Sequence, residues 1–265
     1  MDNDSKQINL IWYSDYEIPN KYLKLLKHNK NINNKWNYKI WLKKHIDNLL
    51  NEIIPDIYNK LNYIQKIQLA KYCILFKHGG VYCDLDIKFI KPLDTIFKTY
   101  SDFDLYFSYK PFENNYFQPN KNDINISDSI IISCKKEDMI ISNIIMDAHK
   151  YISNTSRSFL GPRYLTDNIS PLNTDNKSGI VILPHYYFDP CSNSRKCKII
   201  NKTIAIHYHD KTWINISSFL EKLMYNLKIF LNSLFIFEKE TVIMLIIIIF
   251  IISIYYTIQN ILHQT

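Results

Sequence analysis

One helix–strand segment restricts the folds open to this 265-residue chain more than any other feature. Apolar residues recur at near-helical spacing across residues 62–77, and Gly79 follows in the position of a glycine that ends a helix. Residues 81–83 are apolar and favour a short buried strand, and Asp84 and Asp86 come directly after it. A helix that leads into a buried strand is typical of an α/β domain.

The same alternation of helix and strand patterns continues along most of the chain. Strands are predicted at residues 8–13, 36–41, 105–109, 129–133, 180–183 and 203–206, and helices at residues 20–28, 42–50, 137–152 and 161–169. We therefore expect one α/β domain over residues 1–215 with a mainly parallel central sheet, because parallel neighbours are joined by crossover helices.

Asp84 and Asp86 are the first candidates for a functional site. In an extended segment, residues two apart project to the same face, so both carboxylates are expected to reach one site. Two hard oxygen ligands suit Mn²⁺ or Mg²⁺, a cation that can also hold a phosphate. An isolated Asp-x-Asp pair is common in solvated turns, but a pair preceded by a helix, Gly79, Gly80 and a strand is much rarer.

The composition argues against a nucleic-acid partner and leaves the pairing of the cysteines open. The net charge is +7 with lysines scattered along the chain, and no nucleic-acid-binding module is recognisable, so we expect no nucleic-acid partner. None of the five cysteines forms a Cys-x-x-Cys pair (Cys73, Cys83, Cys134, Cys191 and Cys197). Free thiols in a reducing compartment are the simplest interpretation, and a disulfide between Cys191 and Cys197 is the alternative.

The C-terminal region differs sharply from the rest of the chain. Residues 242–258 carry no charge, and as a helix they would extend roughly 25 Å, close to the ~30 Å hydrocarbon core of a bilayer. We expect a single-pass membrane anchor at residues 241–259 after an amphipathic linker helix at residues 216–240, and a buried core helix is the alternative. Lysines precede the apolar run but do not follow it, and no secretory signal is visible, which predicts a domain that faces the cytosol.

Residues 65–86, continued by residues 90–94, resemble the DXD-motif sugar-transferase family, which includes α-mannosyltransferases and the catalytic subunits that mannosylate inositol phosphorylceramide. Other parts match in the same order, up to an element that begins at His207 and ends at Trp213, so the resemblance covers roughly residues 8–213. It implies a GT-A fold with one nucleotide-binding domain and a nucleotide-sugar donor such as a UDP- or GDP-sugar. It also implies Mn²⁺ or Mg²⁺ as cofactor, a glycan, lipid or protein acceptor, and retention at the transferred sugar.

The resemblance also implies which residues form the site. The metal ligands would be Asp84, Asp86 and His207, with His209 as an alternative to His207. Trp12 would stack on the nucleotide base, and Asp84 would contact the ribose or the metal. The donor-binding candidates are Trp12, Gln68, Lys71, Gly80, Tyr82 and Asp84, and Gly161 and Trp213 are further candidates.

Two positions depart from the family pattern. The helix before the glycines usually carries an Asp and, three residues later, an Arg, and these two residues hold the donor sugar. This chain has Gln68 and Lys71 at those positions. Gln68 can form a hydrogen bond with a hydroxyl but brings no charge, and Lys71 keeps the positive charge without the planar fork of arginine. The donor therefore cannot be inferred from the family.

Two other functions fit parts of the sequence. The residues at positions 68 and 71 favour a catalytically weak or inactive membrane-anchored binding protein that keeps the fold. Asp84 at a strand end is also typical of phosphotransferases that use an aspartate nucleophile. For a transferase, the sequence identifies no nucleophile. The carboxylates that could lie near the reacting sugar carbon, each also suited to a structural role, are Asp102, Asp104, Asp123 and Asp128.

Overall fold

Helices and strands alternate along the part of the chain that the computed structural model describes, residues 6–111, 125–152, 160–174, 179–191 and 197–210. The strands are β1 (Gln7–Trp12), β2 (Asn37–Leu42), β3 (Gly80–Cys83), β4 (Ile87–Phe89), β5 (Leu105–Tyr109), β6 (Ile126–Ser133), β7 (Ile180–Leu183) and β8 (Ala205–His207). The helices are α1 (Asn20–Ile32), α2 (Lys43–Ile53), α3 (Pro55–Tyr58), α4 (Tyr63–His78), α5 (Asp94–Thr99), α6 (Met139–Asp147) and α7 (Pro162–Ile169). Short 3₁₀ turns occur at Ala148–Lys150, Ser170–Thr174 and His185–Tyr187.

Six strands form the central sheet in the order β2-β1-β3-β6-β5-β7. The pairs β1–β2, β1–β3 and β5–β7 are parallel, whereas β6 runs antiparallel to both β3 and β5. Strand β6 is the one strand of the described sheet that runs against its neighbours. The predicted α/β fold with a mainly parallel central sheet is confirmed.

Apolar side chains pack on both faces of this sheet, as expected for a sheet with parallel strands. Strand β3 shows the alternation: Tyr82 belongs to the core formed with α2, α4, α6 and α7, whereas Val81 and Cys83 belong to the core on the opposite face. Because β1 and β3 are parallel and β6 is antiparallel to β3, the ends of β1 and β3 and the start of β6 lie at one edge of the sheet. Trp12, Tyr82 and Asp128 are the candidate site residues that lie toward this edge.

Helix α4 is capped at both ends, and its caps fix the start of β3. The Asn62 side chain accepts a hydrogen bond from the Gln65 N–H at 2.9 Å, and Gln65 Oε1 accepts one from the Asn62 N–H at 2.9 Å. At the other end, the N–H of Gly79 donates to the Leu75 carbonyl at 2.8 Å. Gly79 has φ 63° and ψ −156°, a conformation that is essentially restricted to glycine. The predicted helix-ending role of Gly79 is therefore confirmed.

Gly79→Ala is expected to lower the free energy of unfolding by about 1–3 kcal/mol, because alanine is strained at this backbone conformation. An added Cβ would lie 3.4 Å from the carbonyl oxygens of Ser133 and Lys135, an ordinary contact distance, so the expected loss comes from the backbone conformation. Thermal denaturation measures the change, with Lys77→Ala as the control, since Lys77 is an exposed residue in the last turn of the same helix. Equal melting temperatures for the two variants would contradict the prediction.

A second, two-stranded sheet brings the end of the described chain to the Asp84–Asp86 segment. Strand β4 pairs antiparallel with β8, and Ile87 lies opposite His207. The ladder extends beyond β8, because the N–H of Tyr208 donates to the Asp86 carbonyl at 3.1 Å. Strand β4, like α3 and α5, was not predicted, because elements this short show no recognisable periodicity.

The cysteines divide into two groups. Cys73 and Cys83 are buried free thiols, and Cys134 is a partly buried free thiol. Cys191 and Cys197 form a disulfide, which is the alternative that the sequence left open. The prediction that all five cysteines are free is therefore wrong, because these two residues face each other as an isolated antiparallel bridge.

Within the ranges that the structure describes, no helix combines the length and apolar character needed to cross a bilayer. The apolar run at residues 242–258, on which the predicted anchor depends, lies outside those ranges.

Candidate metal and donor site

The Asp84–Asp86 segment is a turn. Strand β3 ends at Cys83, the N–H of Asp84 still donates to the Ser129 carbonyl at 2.9 Å, and the N–H of Ile87 then folds back to the Asp84 carbonyl at 3.3 Å. The argument that alternating residues of an extended strand align the two carboxylates is therefore wrong. The turn nevertheless brings one carboxylate oxygen of Asp84 and one of Asp86 within 4.8 Å of each other.

His207 joins the two aspartates through the β4–β8 pairing. Its Nε2 lies 3.3 Å from Asp86 Oδ1 and 3.9 Å from Asp84 Oδ2. The side chains of Asp84, Asp86 and His207 are 26%, 13% and 12% exposed, so the cluster is largely shielded from solvent but open on the Asp84 side. Asp86 is further held by the N–H of Asp210, which donates to Asp86 Oδ2 at 2.8 Å.

The surroundings shift the pKa values of the two aspartates in opposite directions. Burial raises the pKa of Asp84; the ammonium group of Lys71 opposes this shift, and the neighbouring charge of Asp86 reinforces it. Burial also disfavours charge on Asp86, but the hydrogen bond and charge of His207, the N–H of Asp210 and the charge of His209 together outweigh it and lower the pKa of Asp86 to about 2. For His207, burial disfavours the charged ring, but the hydrogen bond with Asp86 and the charges of the three surrounding aspartates together outweigh it and raise the pKa. The aspartate pair therefore attracts positive charge.

Lys71 is a buried cation that links Asp84 to Asp128. Its Nζ lies 2.9 Å from Asp128 Oδ2 and 3.7 Å from Asp84 Oδ1, and the residue is only 3% exposed. Burial disfavours both charges, but their mutual attraction outweighs it, so the pKa of Lys71 is raised and that of Asp128 is lowered. Lys71 is thus committed to two carboxylates, which sequence reasoning did not anticipate.

Gln68 lies one helical turn before Lys71 and is partly buried. Among the described residues, its buried Oε1 atom has no hydrogen-bond partner. A buried acceptor without a partner is costly, and such groups often mark a place where a ligand binds. Gln68 therefore remains a candidate for contact with a donor hydroxyl.

Three predicted donor-binding residues lie on β1 and β3, Trp12 and Tyr82 toward the ends of these strands, and Gly80 at the start of β3, where it pairs with Ser133 at the far end of β6. Trp12 is partly exposed at the end of β1, and its Nε1 donates to the Tyr16 carbonyl at 2.6 Å. Gly80 is buried and has φ 84°, a backbone conformation that favours glycine. Tyr82 is 3% exposed and its hydroxyl donates to Asp84 Oδ1 at 2.5 Å, so it holds Asp84 in place.

The remaining candidates are spread more widely. Asp104 pairs with Lys135 at 2.6 Å and Asp102 accepts a hydrogen bond from Ser101, so these two aspartates have partners at the surface. Gly161 is buried and precedes α7. Asp123 and Trp213 lie outside the described residues.

Two aspartates near the site were not predicted. Asp189 is completely buried, and its Oδ1 accepts a hydrogen bond from His209 Nε2 at 2.8 Å. Asp210 contributes its backbone N–H to Asp86, while its side chain accepts hydrogen bonds from Lys21 and Tyr22. Asp189 belongs to no recognisable motif, and Asp210 lies in the element from His207 to Trp213, to which the resemblance assigns no role at that position.

The cluster of Asp84, Asp86 and His207 fits a divalent cation in its chemistry. Two carboxylate oxygens and one imidazole nitrogen are suitable ligands for Mn²⁺, and carboxylates are the usual protein ligands of Mg²⁺. One ligand atom from each residue lies within 4.8 Å of the others, and His207 already turns Nε2 toward the aspartates. These residues can therefore hold the kind of ion that the sequence predicted.

Comparison with known proteins places residues 18–103 in a defined class of domain. They match the model of a family described as the glycosyltransferase sugar-binding region containing a DXD motif, and the motif is Asp84-Leu85-Asp86. For this segment, the resemblance to DXD-motif sugar transferases is confirmed.

Two curated relatives carry related segments. Inositol phosphoceramide mannosyltransferase 1 of Schizosaccharomyces pombe is 37% identical over 67 residues, which are 24% of this chain and 21% of the relative. An uncharacterized glycosyltransferase of Acanthamoeba polyphaga mimivirus is 36% identical over 86 residues, which are 30% of this chain and 34% of the relative. The chain thus spans between a fifth and about a third of the length of these two relatives.

Solved structures with distant similarity include two sugar transferases. The alignment with the apo form of mouse xyloside xylosyltransferase 1 covers 78% of this chain and 86% of that protein's chain, with 11% identity and a TM-score of 0.46. The alignment with the PaToxG glycosyltransferase covers 64% of this chain and 72% of that protein's chain, with 15% identity and a TM-score of 0.42.

Proposed function

We propose that this chain is a metal-dependent glycosyltransferase that moves a sugar from a UDP- or GDP-sugar to an acceptor hydroxyl. The observation that carries the proposal is the meeting of Asp84 and Asp86, from the segment that matches the DXD family model, with His207 from β8. An isolated DXD pair in a solvated turn has no reason to be joined by a buried histidine. The GT-A type of the fold and retention at the sugar are parts of this proposal that rest on the family resemblance.

The proposed metal ligands are Asp84, Asp86 and His207, with Mn²⁺ or Mg²⁺ as the ion. When bound, such an ion neutralises charge on a diphosphate leaving group. The protein's own contribution is to hold the ligands: Tyr82 and Lys71 contact Asp84, and the N–H of Asp210 contacts Asp86. His209 is the alternative ligand to His207, but its Nε2 is bonded to Asp189.

On the donor side, we propose that Gln68 Oε1 accepts a hydrogen bond from a sugar hydroxyl, because this buried atom has no partner among the described residues. Trp12 stacks on the nucleotide base at the end of β1, whereas Gly80, at the start of β3, is left out of the proposed donor contacts. Lys71 acts mainly through Asp84, since its ammonium group is engaged with two carboxylates. Of the three candidate carboxylates that the structure describes, Asp128 is the one that pairs with Lys71.

A second candidate function is a binding protein that keeps the transferase fold without turnover. It is favoured by Lys71, because a cation committed to Asp84 and Asp128 is less available for the donor sugar than a free arginine. A thermal-shift screen of UDP- and GDP-sugars with and without Mn²⁺ tests both candidates, because a ligand that binds the folded state raises its stability. Stabilisation with Mn²⁺-dependent release of the sugar supports the transferase, and stabilisation without turnover supports the binding protein. A chain that binds no nucleotide sugar at all would contradict both.

We further propose that residues 241–259 anchor the protein to a membrane, with residues 1–215 as the transferase domain and residues 216–240 as a linker. The support is the uncharged apolar run at residues 242–258. The argument for a cytosolic domain is weaker than the sequence suggested, because the Cys191–Cys197 disulfide is typical of an oxidising compartment. Protease protection of the domain in sealed vesicles would determine its orientation.

Truncation of the chain before Glu238 is expected to move the protein from the membrane pellet to the supernatant, because the truncated chain lacks the apolar run. Fractionation with alkaline carbonate extraction measures the shift. The matched control is a full-length chain in which three isoleucines of the run are replaced by leucine, which preserves hydrophobicity and should remain in the pellet. A truncated chain that stays in the pellet would contradict the anchor proposal.

A further inference from the structure

Asp189 is a buried carboxylate with one bonded and one unbonded oxygen. It is 0% exposed and follows the 3₁₀ turn His185–Tyr187, whose first carbonyl accepts a hydrogen bond from the Asp189 N–H at 2.7 Å. Its Oδ1 accepts a hydrogen bond from His209 Nε2 at 2.8 Å. Its Oδ2 is buried and has no hydrogen-bond partner among the described residues. This unbonded oxygen needs a donor.

The nearest candidate donor is Nδ1 of His207, on the side of the ring that faces away from Asp84 and Asp86. Asp189 Oδ2 lies 4.0 Å from His207 Nδ1, and Nδ1 is itself buried and without a partner among the described residues. Two unsatisfied buried atoms thus face each other just beyond hydrogen-bond distance, and a small rotation of the imidazole ring would join them. The opposite nitrogen of the same ring, Nε2, faces Asp86 and Asp84.

His209 couples Asp189 to His207 in a second way. The rings of His207 and His209 have centroids 3.9 Å apart and an angle of 35° between their planes, so the two imidazoles are in close contact. His209 has φ 53°, a left-handed backbone conformation that few residue types adopt readily, which further defines the position of its side chain. By holding His209, Asp189 also restricts the plane of the His207 ring.

We propose that Asp189 is a positioning residue that fixes the orientation and the tautomer of His207. By accepting a hydrogen bond from Nδ1–H, it keeps a proton on that nitrogen, so that an ion held by the two aspartates can replace the Nε2 proton that otherwise bonds to Asp86. Histidine ligands of metals commonly donate their other ring N–H to a carboxylate in this way, and the loss of such a partner weakens metal binding. This inference rests on the proposed metal site.

A separate cation site made of Asp189, His207 and His209 is the competing interpretation, because one ligand atom from each also lies within 4.8 Å of the others. Positioning is favoured by two observations. Asp189 is fully buried, and its Oδ1 already accepts a hydrogen bond from His209 at 2.8 Å. The proton of that hydrogen bond occupies the space between the two residues that a bound cation would need. The two interpretations predict different numbers of bound ions.

The first test compares Asp189→Asn with the wild-type chain in a Mn²⁺ titration in which electron paramagnetic resonance measures the bound ion. Asparagine has the same shape, but its amide can donate to Nδ1 and so favours the wrong tautomer. We expect one Mn²⁺ per chain in both proteins and about 10–100-fold weaker binding in the variant. Asp56→Asn, at an exposed position in α3, is the matched control and should bind Mn²⁺ as the wild type does. Unchanged affinity in Asp189→Asn, or the loss of one of two bound ions, would overturn the proposal.

The second test determines which ring nitrogens of His207 and His209 carry protons. It uses only the wild-type chain, so it does not depend on whether a variant folds. In ¹⁵N spectra of the wild-type chain saturated with Mg²⁺, His207 should carry its proton on Nδ1, whereas an unprotonated Nδ1 would overturn the inference. Without any ion, His209 should carry a proton on Nε2 bonded to Asp189, and its absence would equally count against Asp189. A wild-type chain that binds neither Mn²⁺ nor Mg²⁺ but keeps the His209 signature would instead refute the proposed metal site.

Discussion

Asp86→Asn is expected to reduce sugar transfer at least about 100-fold, a loss of roughly 2.7 kcal/mol of transition-state stabilisation. The substitution removes the negative charge of the carboxylate whose pKa is the lowest in the cluster, about 2. It therefore removes a fully ionised ligand of the proposed cation, and an ion that neutralises a leaving group contributes several kcal/mol. Transfer from the donor identified by the thermal-shift screen, measured at saturating Mn²⁺, tests the prediction.

The control for this prediction is Asp56→Asn, which removes the same charge at an exposed position in α3 and should retain wild-type activity. Melting temperatures of both variants show whether the fold is preserved. If Asp86→Asn folds and transfers sugar at a rate close to that of the wild type, the proposed metal-dependent function is wrong. If it folds and loses transfer while nucleotide-sugar binding also disappears, the ion is required for binding as well as for chemistry.

The periodicity of the sequence was sufficient to predict the architecture. Helix α4, the glycine that ends it and the short strand β3 each have a strong local signal, because hydrophobic spacing and glycine conformation are properties of neighbouring residues. The reversal of β6 has no such signal. It depends on the pairing of β6 with β3 and β5, and strand pairing is a tertiary property.

The site was predicted in part, and partly for the wrong reason. Asp84 and Asp86 do converge, but they converge through a turn that sequence alternation cannot describe. His207 reaches them because β8 pairs with β4 across more than a hundred residues. The prediction of that contact came from the family resemblance, since no spacing argument connects such distant positions.

Asp128 and Asp189 show why the rest of the site was predicted only in part, since Asp128 was one of four candidate carboxylates without an assigned partner and Asp189 was not a candidate. Each is an aspartate in a chain with many acidic residues, and nothing in its local sequence marks it as buried or functional. Their roles follow only from burial next to a charged or polar partner, Lys71 for one and His209 for the other. A buried charge makes the loss of its partner costly in stability. Which charges are buried is set by the fold and cannot be read from the neighbouring sequence.

Lys71→Met is expected to have the largest effect on stability, about 3–5 kcal/mol, because it leaves the buried carboxylate of Asp128 without its counter-charge. The Nζ of Lys71 lies 2.9 Å from Asp128 Oδ2, 3.3 Å from the Asp128 carbonyl and 4.9 Å from the centre of the Tyr82 ring. For a domain of this size, the loss corresponds to a melting temperature lower by at least about 6 °C. Lys77→Met removes the exposed ion pair with Glu52 on the same helix and should cost less than about 1 kcal/mol.

The double variant Lys71→Met with Asp128→Asn separates charge from packing. If the cost of Lys71→Met arises from an uncompensated charge, neutralising Asp128 should recover most of the lost stability, and the two substitutions should be strongly non-additive. If it arises from packing of the lysine stem, the double variant should be no more stable than Lys71→Met alone. The first outcome would explain the departure from the family pattern, because a lysine here balances Asp128 and Asp84 in the fold itself. A melting temperature unchanged by Lys71→Met would contradict this explanation and would leave Lys71 free to contact the donor.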